Sequence, residues 1–124
     1  MKTRFAVGCA VLCFVAAVAF GQDAAKVDPA HYKVEFENAK VRVLRFHYGP
    51  GEKSVMHSHP DAVAVFLNEG KVKFTFPDGK TQDAMGKAGE AQYTPAQVHL
   101  PENTGTAAMD GIVIELKDGA GKMK

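Results

Sequence analysis

Apolar side chains recur at every second position through much of the chain, the period of a strand with one face in a core. Ala30-His31-Tyr32-Lys33-Val34-Glu35-Phe36 puts Tyr32, Val34 and Phe36 on one face. Asn38-Ala39-Lys40 then turns the chain into a β-rich run from Val41 to Tyr48. In that run Val41, Val43 and His47 share one face, and Leu44, Phe46 and Tyr48 share the other. Gly49-Pro50-Gly51-Glu52, with Pro then Gly at its centre, predicts a type II turn. Lys71-Val72-Lys73-Phe74-Thr75-Phe76 alternates cleanly, and Pro77-Asp78-Gly79-Lys80 predicts the hairpin turn that follows it. Ala107 to Lys117 closes the set, with Ile112, Ile114 and Leu116 on one face. The helical signal is confined to Asp28-Pro29, a cap followed by Pro at a first helical position, which is enough for a single turn.

Ala62-Val63-Ala64-Val65-Phe66-Leu67 breaks the alternation, being apolar at every position. A strand covered on both faces explains such a run. In a small domain this means core on one side and a second sheet or a subunit partner on the other. A homodimer contact through Ala62, Ala64 and Phe66 is the corresponding expectation. Many short strands without helices predict an all-β fold, a β-sandwich or small barrel.

The extreme N-terminus follows a different rule. Lys2 and Arg4 precede an uncharged apolar stretch from Phe5 to Phe20, and small residues lead into Gln22-Asp23-Ala24. This is the layout of a cleavable signal peptide over residues 1–21, with cleavage after Ala19 or Gly21, and it predicts a secreted or periplasmic protein. Sixteen apolar residues are short for a membrane anchor, which needs about 20. The remainder divides into an N-terminal arm with the first strand (22–40), a barrel (41–117) and a tail (118–124).

Composition sharpens this reading mainly by exclusion. The chain of 124 residues is 46% hydrophobic and 23% charged, as in a single globular domain. A formal charge of +1, without a basic cluster, argues against nucleic acid as a partner. Cleavage would remove Cys9 and Cys13, and with them disulfides and thiol catalysis. All five histidines would stay, and no membrane-seeking segment would remain.

The histidines carry the chemical signal. His57-Ser58-His59 on a strand directs two imidazoles to one face, about 6.6 Å apart along the chain. Gly51 precedes the pair by six positions and Gly70 follows it by eleven. Further on stand Gly89, Pro95, His99 and Asn103. This arrangement resembles the two-part signature of the cupin superfamily, over Val41 to about Lys117. The first part reads Gly51, five residues, His57-Ser58-His59, three residues, Val63, six residues, Gly70. The second reads Gly89, five residues, Pro95-Ala96-Gln97, one residue, His99, three residues, Asn103. Val63 stands where the pattern has Glu, Gln97 where it has Gly, and the interval from Pro95 to His99 is one residue short.

The resemblance implies a single-domain jelly-roll barrel of six to eight strands, with His57, His59 and His99 as ligands of a divalent transition metal. Three imidazoles suit zinc, iron, nickel or copper better than oxygen-seeking magnesium or calcium. With Val63 in place of the carboxylate, the ion would keep its full charge among neutral ligands and favour an anionic ligand or a bound water. Three functions stay open at this point: a metal-dependent enzyme of dioxygenase or isomerase type on a small molecule, a non-catalytic module for metal or small ligands, and a metal-free structural barrel. No general base is identifiable, since Asp61, Glu69 and Glu90 all fall at turns. His47 reads as a strand-surface residue, His31 as chemically idle, and Gln97 as a solvent-facing turn residue. Phe74, Phe76, Tyr93 and Met109 read as core, and Arg42, Arg45, Lys71 and Lys73 as solvated strand faces.

Overall fold

The computed structural model describes residues 22–119 and 121–124; the segment 1–21, where the sequence predicts a signal peptide, lies outside the described residues. Among the described residues one helical turn, α1 (Ala24–Val27), precedes nine strands: β1 (Tyr32–Glu37), β2 (Val41–Tyr48), β3 (His57–His59), β4 (Ala62–Phe66), β5 (Gly70–Thr75), β6 (Thr81–Gly86), β7 (Ala91–Thr94), β8 (Gln97–Asn103) and β9 (Met109–Leu116). They form two antiparallel sheets, ordered β1-β2-β9-β4-β7 and β3-β8-β5-β6. The core lies between them, with Leu44, Phe46, Tyr48, Phe66, Met109 and Val113 from the first sheet and Val72 from the second. No helix among the described residues is long and apolar enough to cross a membrane.

Strand parity decides which side chains enter that core. In β2 the inward set is Arg42, Leu44, Phe46 and Tyr48, so Arg42 shares the face of three hydrophobic neighbours and is buried rather than solvated. Arg45 and His47 point outward and are exposed, as expected. In β9 the inward set is Met109, Gly111, Val113 and Glu115; the more hydrophobic Ile112, Ile114 and Leu116 share the half-buried outer face. At Gly111 any Cβ would overlap the Phe46 ring, so the strand accepts only hydrogen there.

In β4 the inward set is Ala62, Ala64 and Phe66. Ala62 and Phe66 are buried and Ala64 lines the internal cavity, so these three are not available to a subunit partner. The outward pair is Val63 and Val65, set beside Ile114 and Ile112 of β9.

Other local expectations divide the same way. The turn at Gly49–Glu52 forms with Gly51 at φ +74° and the Glu52 amide donating to the Gly49 carbonyl at 3.1 Å. Pro77–Lys80 also turns, with Gly79 at φ +83°. The helical turn precedes Asp28 instead of following it: Asp23 caps its N-terminus, and Asp28 is its C-cap. In β1, an edge strand, only Tyr32 is buried; Val34 and Phe36 are exposed, and the register to β2 is irregular between them. Strands β6 and β7 are short and polar and lack an alternating pattern; pairing with β5 and β4 forms them. The tail folds back, with the Lys124 amide donating to Leu116 and its carbonyl accepting from Asp61, both at 3.0 Å.

Candidate metal centre

Two neighbouring strands deliver the three histidines. In the β3–β8 pair His57 lies directly opposite His99, and His59 opposite Gln97. Strand parity therefore sends His57, His59 and His99 to the same inner side, and all three are buried. The short interval from Pro95 to His99 does not disturb this, because β8 begins at Gln97 and the register to β3 sets the orientation. One ring nitrogen from each histidine lies within 4.8 Å of those of the others. The ring planes stand at 88°, 88° and 74° to one another, so the rings converge instead of stacking.

Hydrogen bonds fix the tautomers of two of them. His57 Nδ1 lies 2.8 Å from the Val55 carbonyl, which only accepts, so that nitrogen carries the hydrogen. The Ser54 hydroxyl, 3.1 Å from the same nitrogen, donates in turn to Asp28 at 2.5 Å. His59 Nδ1 donates to Glu115 Oε1 at 2.8 Å. With both rings in their neutral form, the two Nε2 lone pairs face the centre, 3.0 Å apart. Two lone pairs at that distance repel unless a cation lies between them. Two metal–imidazole bonds of about 2.0–2.1 Å at angles near 90–109° place their nitrogens about 2.9–3.4 Å apart. The His57–His59 pair meets that requirement. At His99 both ring nitrogens are buried without a hydrogen-bond partner among the described residues. Its ring is held by stacking on Phe74 at 5.0 Å and 18°. An orphaned buried imidazole beside two directed lone pairs fits a divalent ion.

Electrostatics favours neutral rings here. Burial, with repulsion from His59 second, pushes His57 down to about 4. Burial and the two neighbouring imidazoles push His99 down to about 3. His57 and His99 are thus unprotonated across the physiological range, as ligation requires.

The surrounding carboxylates escaped the sequence reading. Glu115 is fully buried; its Oε1 holds His59, while its Oε2 receives Arg42 Nε at 2.6 Å and Nη2 at 2.5 Å. Arg42 also pairs with Asp23 at 2.5 Å. Asp28 backs His57 through Ser54 and takes His31 Nδ1 at 2.8 Å. His31 is therefore a structural bridge: its Nε2 meets Glu52 at 3.0 Å, and its ring stacks on Tyr48 at 4.3 Å. The signal for Arg42 and Glu115 was their parity with Leu44 and Val113; nothing in the sequence marked Ser54.

The position facing the centre from β4 is Ala64, not Val63. Ala64 lines the cavity, whereas Val63 lies on the outer face between Tyr93 and Ile114. No carboxylate reaches inward from this strand, and the small Ala64 side chain leaves space before the histidines. That space is a cavity of about 270 Å³, whose wall includes His59, His99, Phe46, Phe66 and Phe74. Gln97 lines it as a strand residue, in place of the solvent-facing turn position expected. Tyr32 and Tyr48 also line it, hydrogen-bonded to each other at 2.9 Å. Burial raises both phenols well above their ordinary range, so they remain protonated. Met109 is core as expected, whereas Tyr93 is largely exposed. His47 stands apart on the surface, paired with Asp110 at 2.7 Å.

Comparison with known proteins agrees with this architecture. A cupin domain protein from Bordetella pertussis Tohama I superposes with a TM-score of 0.65 at 24% identity, over 69% of this chain and 91% of that one. A conserved protein with a double-stranded β-helix domain from Klebsiella pneumoniae subsp. pneumoniae MGH 78578 gives 0.55 at 21%, over 72% and 77%. A cupin family protein from Methanocaldococcus jannaschii gives 0.55 at 16%, over 68% and 77%. At these identities the likeness is one of fold. No curated protein matches the sequence. The family model of the cupin domain matches residues 44–115, which include all three buried histidines and the carboxylate behind His59. On that match and on the two-sheet fold, the chain belongs to the cupin superfamily.

Proposed function

We infer that this protein is an exported metal-binding cupin in which His57, His59 and His99 hold a divalent transition ion of the zinc, iron, nickel or copper kind. The observation that carries the reading is the pair of directed Nε2 atoms 3.0 Å apart beside the unpartnered imidazole of His99. Three protein ligands leave coordination positions for a small molecule, and such an ion supplies Lewis-acid polarisation or an activated water. The protein residues orient His57 and His59 through Val55 and Glu115, and burial keeps His57 and His99 neutral.

A second reading, a binding module without turnover, is favoured by one feature. Among the described residues no Asp, Glu or Lys lines the cavity and the two buried phenols stay protonated, so apart from the histidines assigned to the ion no lining side chain offers a general base. Catalysis, where it occurs, would then rest on the ion.

The test is elemental analysis of the untagged protein beside His57→Ala and His59→Ala variants whose folding is verified by circular dichroism. Stoichiometric metal in the parent, lost from both variants, is the expected result. A metal-free parent that gains no thermal stability from added Zn²⁺, Ni²⁺, Cu²⁺ or Fe²⁺ would overturn the reading. Oxygen consumption with candidate substrates separates catalyst from binder, and N-terminal sequencing of secreted material tests export.

A further inference from the structure

We propose that the cavity takes a compact molecule with an uncharged, mainly apolar body and one anionic oxygen head, recognised by the bound ion alone. This rests on the three-histidine metal reading and adds the chemical class of its ligand. The reason lies in the wall. Among the described residues its lining includes no Asp, Glu, Lys or Arg, and its hydrophobic surface comes from both sheets, with Phe46, Phe66, Val72 and Phe74 prominent. A phosphate, a second carboxylate or an ammonium on the ligand body would be removed from water with no counter-charge to meet it, a cost of several kcal/mol per ion. The charged groups nearest the histidines are already committed: Glu115 to Arg42 and His59, and Asp28 to Ser54 and His31.

The polar groups that remain are neutral. The amides of Gln82, Gln92 and Gln97 and the hydroxyl of Thr94 can satisfy a carbonyl or hydroxyl on the ligand without selecting a charge. Volume sets the size. At about 270 Å³ the cavity lies just below the roughly 300–1,000 Å³ range of sites for drug-sized ligands, which suits a single ring or a short branched chain. Nucleotides, sugar phosphates and zwitterionic amino acids do not fit this chemistry. The head follows from the site, since an ion among three neutral imidazoles keeps net positive charge and draws an oxygen anion.

The experiment is isothermal titration of the zinc-loaded full-length mature protein with three hydroxamates that share one metal-binding head. Acetohydroxamate has almost no body, benzohydroxamate an apolar ring, and 4-carboxybenzohydroxamate the same ring with a charge. Zinc content is measured before and after each titration. Benzohydroxamate is expected to bind at least about tenfold tighter than acetohydroxamate, and the added carboxylate to remove at least about tenfold. Retained zinc with equal affinities, or with the carboxylated ring tightest, overturns the ligand class and leaves the metal site standing. Failure to hold zinc, nickel, copper or iron overturns both.

Discussion

Glu115 shows how one side chain can restore what the motif lacks. The strand position facing the histidines holds Ala64, yet a carboxylate still enters the centre from the next strand, where Glu115 pairs with Ala62 in register. It does not reach the ion's place directly; it accepts the His59 Nδ1 hydrogen, turns Nε2 inward and raises its basicity. The candidate donors are imidazoles, and Glu115 and Asp28, themselves paired with Arg42 and His31, stand behind two of them. Arg42 is what makes a fully buried carboxylate tolerable, since an unpaired one would cost about 3–5 kcal/mol. Replacing Glu115 by Gln keeps the size and one acceptor oxygen but removes the charge. Zinc affinity of Glu115→Gln, by competition with a chromogenic chelator, is expected to fall about 10- to 100-fold. An unchanged affinity would mean the carboxylate serves Arg42 alone.

Elements meet around Asn103, the last residue of β8 and the Asn of the second motif part. Its amide donates to the carbonyls of Tyr48, Gly49 and Ala107 at 3.0, 3.1 and 2.9 Å, while its Oδ1 accepts from the Gly105 amide at 2.9 Å. One buried side chain thus pins the end of β2, the turn after it and the loop into β9, which keeps β8 and His99 in register. In Asn103→Asp the donors disappear and a carboxylate faces carbonyl oxygens. Urea denaturation is expected to show a loss of at least about 2 kcal/mol, and a loss under about 0.5 kcal/mol would show that the junction does not depend on these bonds. Sequence pattern located β2 and the β5 turn because their alternation and Pro-Gly placement are local. It passed over β6 and β7, whose strand character comes from their partners.

At the scale of the molecule, polar burial among the described residues is concentrated at one place. Of the buried polar residues, Asp28, Arg42, Ser54, His57, His59, His99 and Glu115 belong to the histidine centre and its supports, and Asn103 to the junction just described. Such a centre makes stability depend on pH. In the unfolded chain imidazoles take up protons as pH falls below about 6.5. In the fold His57 waits until about 4 and His99 until about 3, so between these limits the unfolded state holds more protons. The metal-free protein should therefore lose stability steadily as pH falls from about 6.5 toward 4, and gain nothing from this source above about pH 7. Urea midpoints at pH 7.5, 6.5 and 5.0 measure it. A midpoint that stays level or rises on acidification would mean the rings are solvated.

What the sequence determined unaided is what short-range spacing encodes: the two-residue period of β2 and β5, the turns at Gly51 and Gly79, and the His57-Ser58-His59 pair with His99 in a recognisable frame. Tertiary structure alone decided which side of each strand faces inward. That turned Arg42 from surface to core, put Ala64 rather than Val63 on the cavity side of β4, and turned Ala62 and Phe66 into the core. It also brought Glu115 to His59, 56 positions apart. The physical reason is that a pleat alternates whatever its residues are, and only pairing with distant strands says which of its two faces is the buried one.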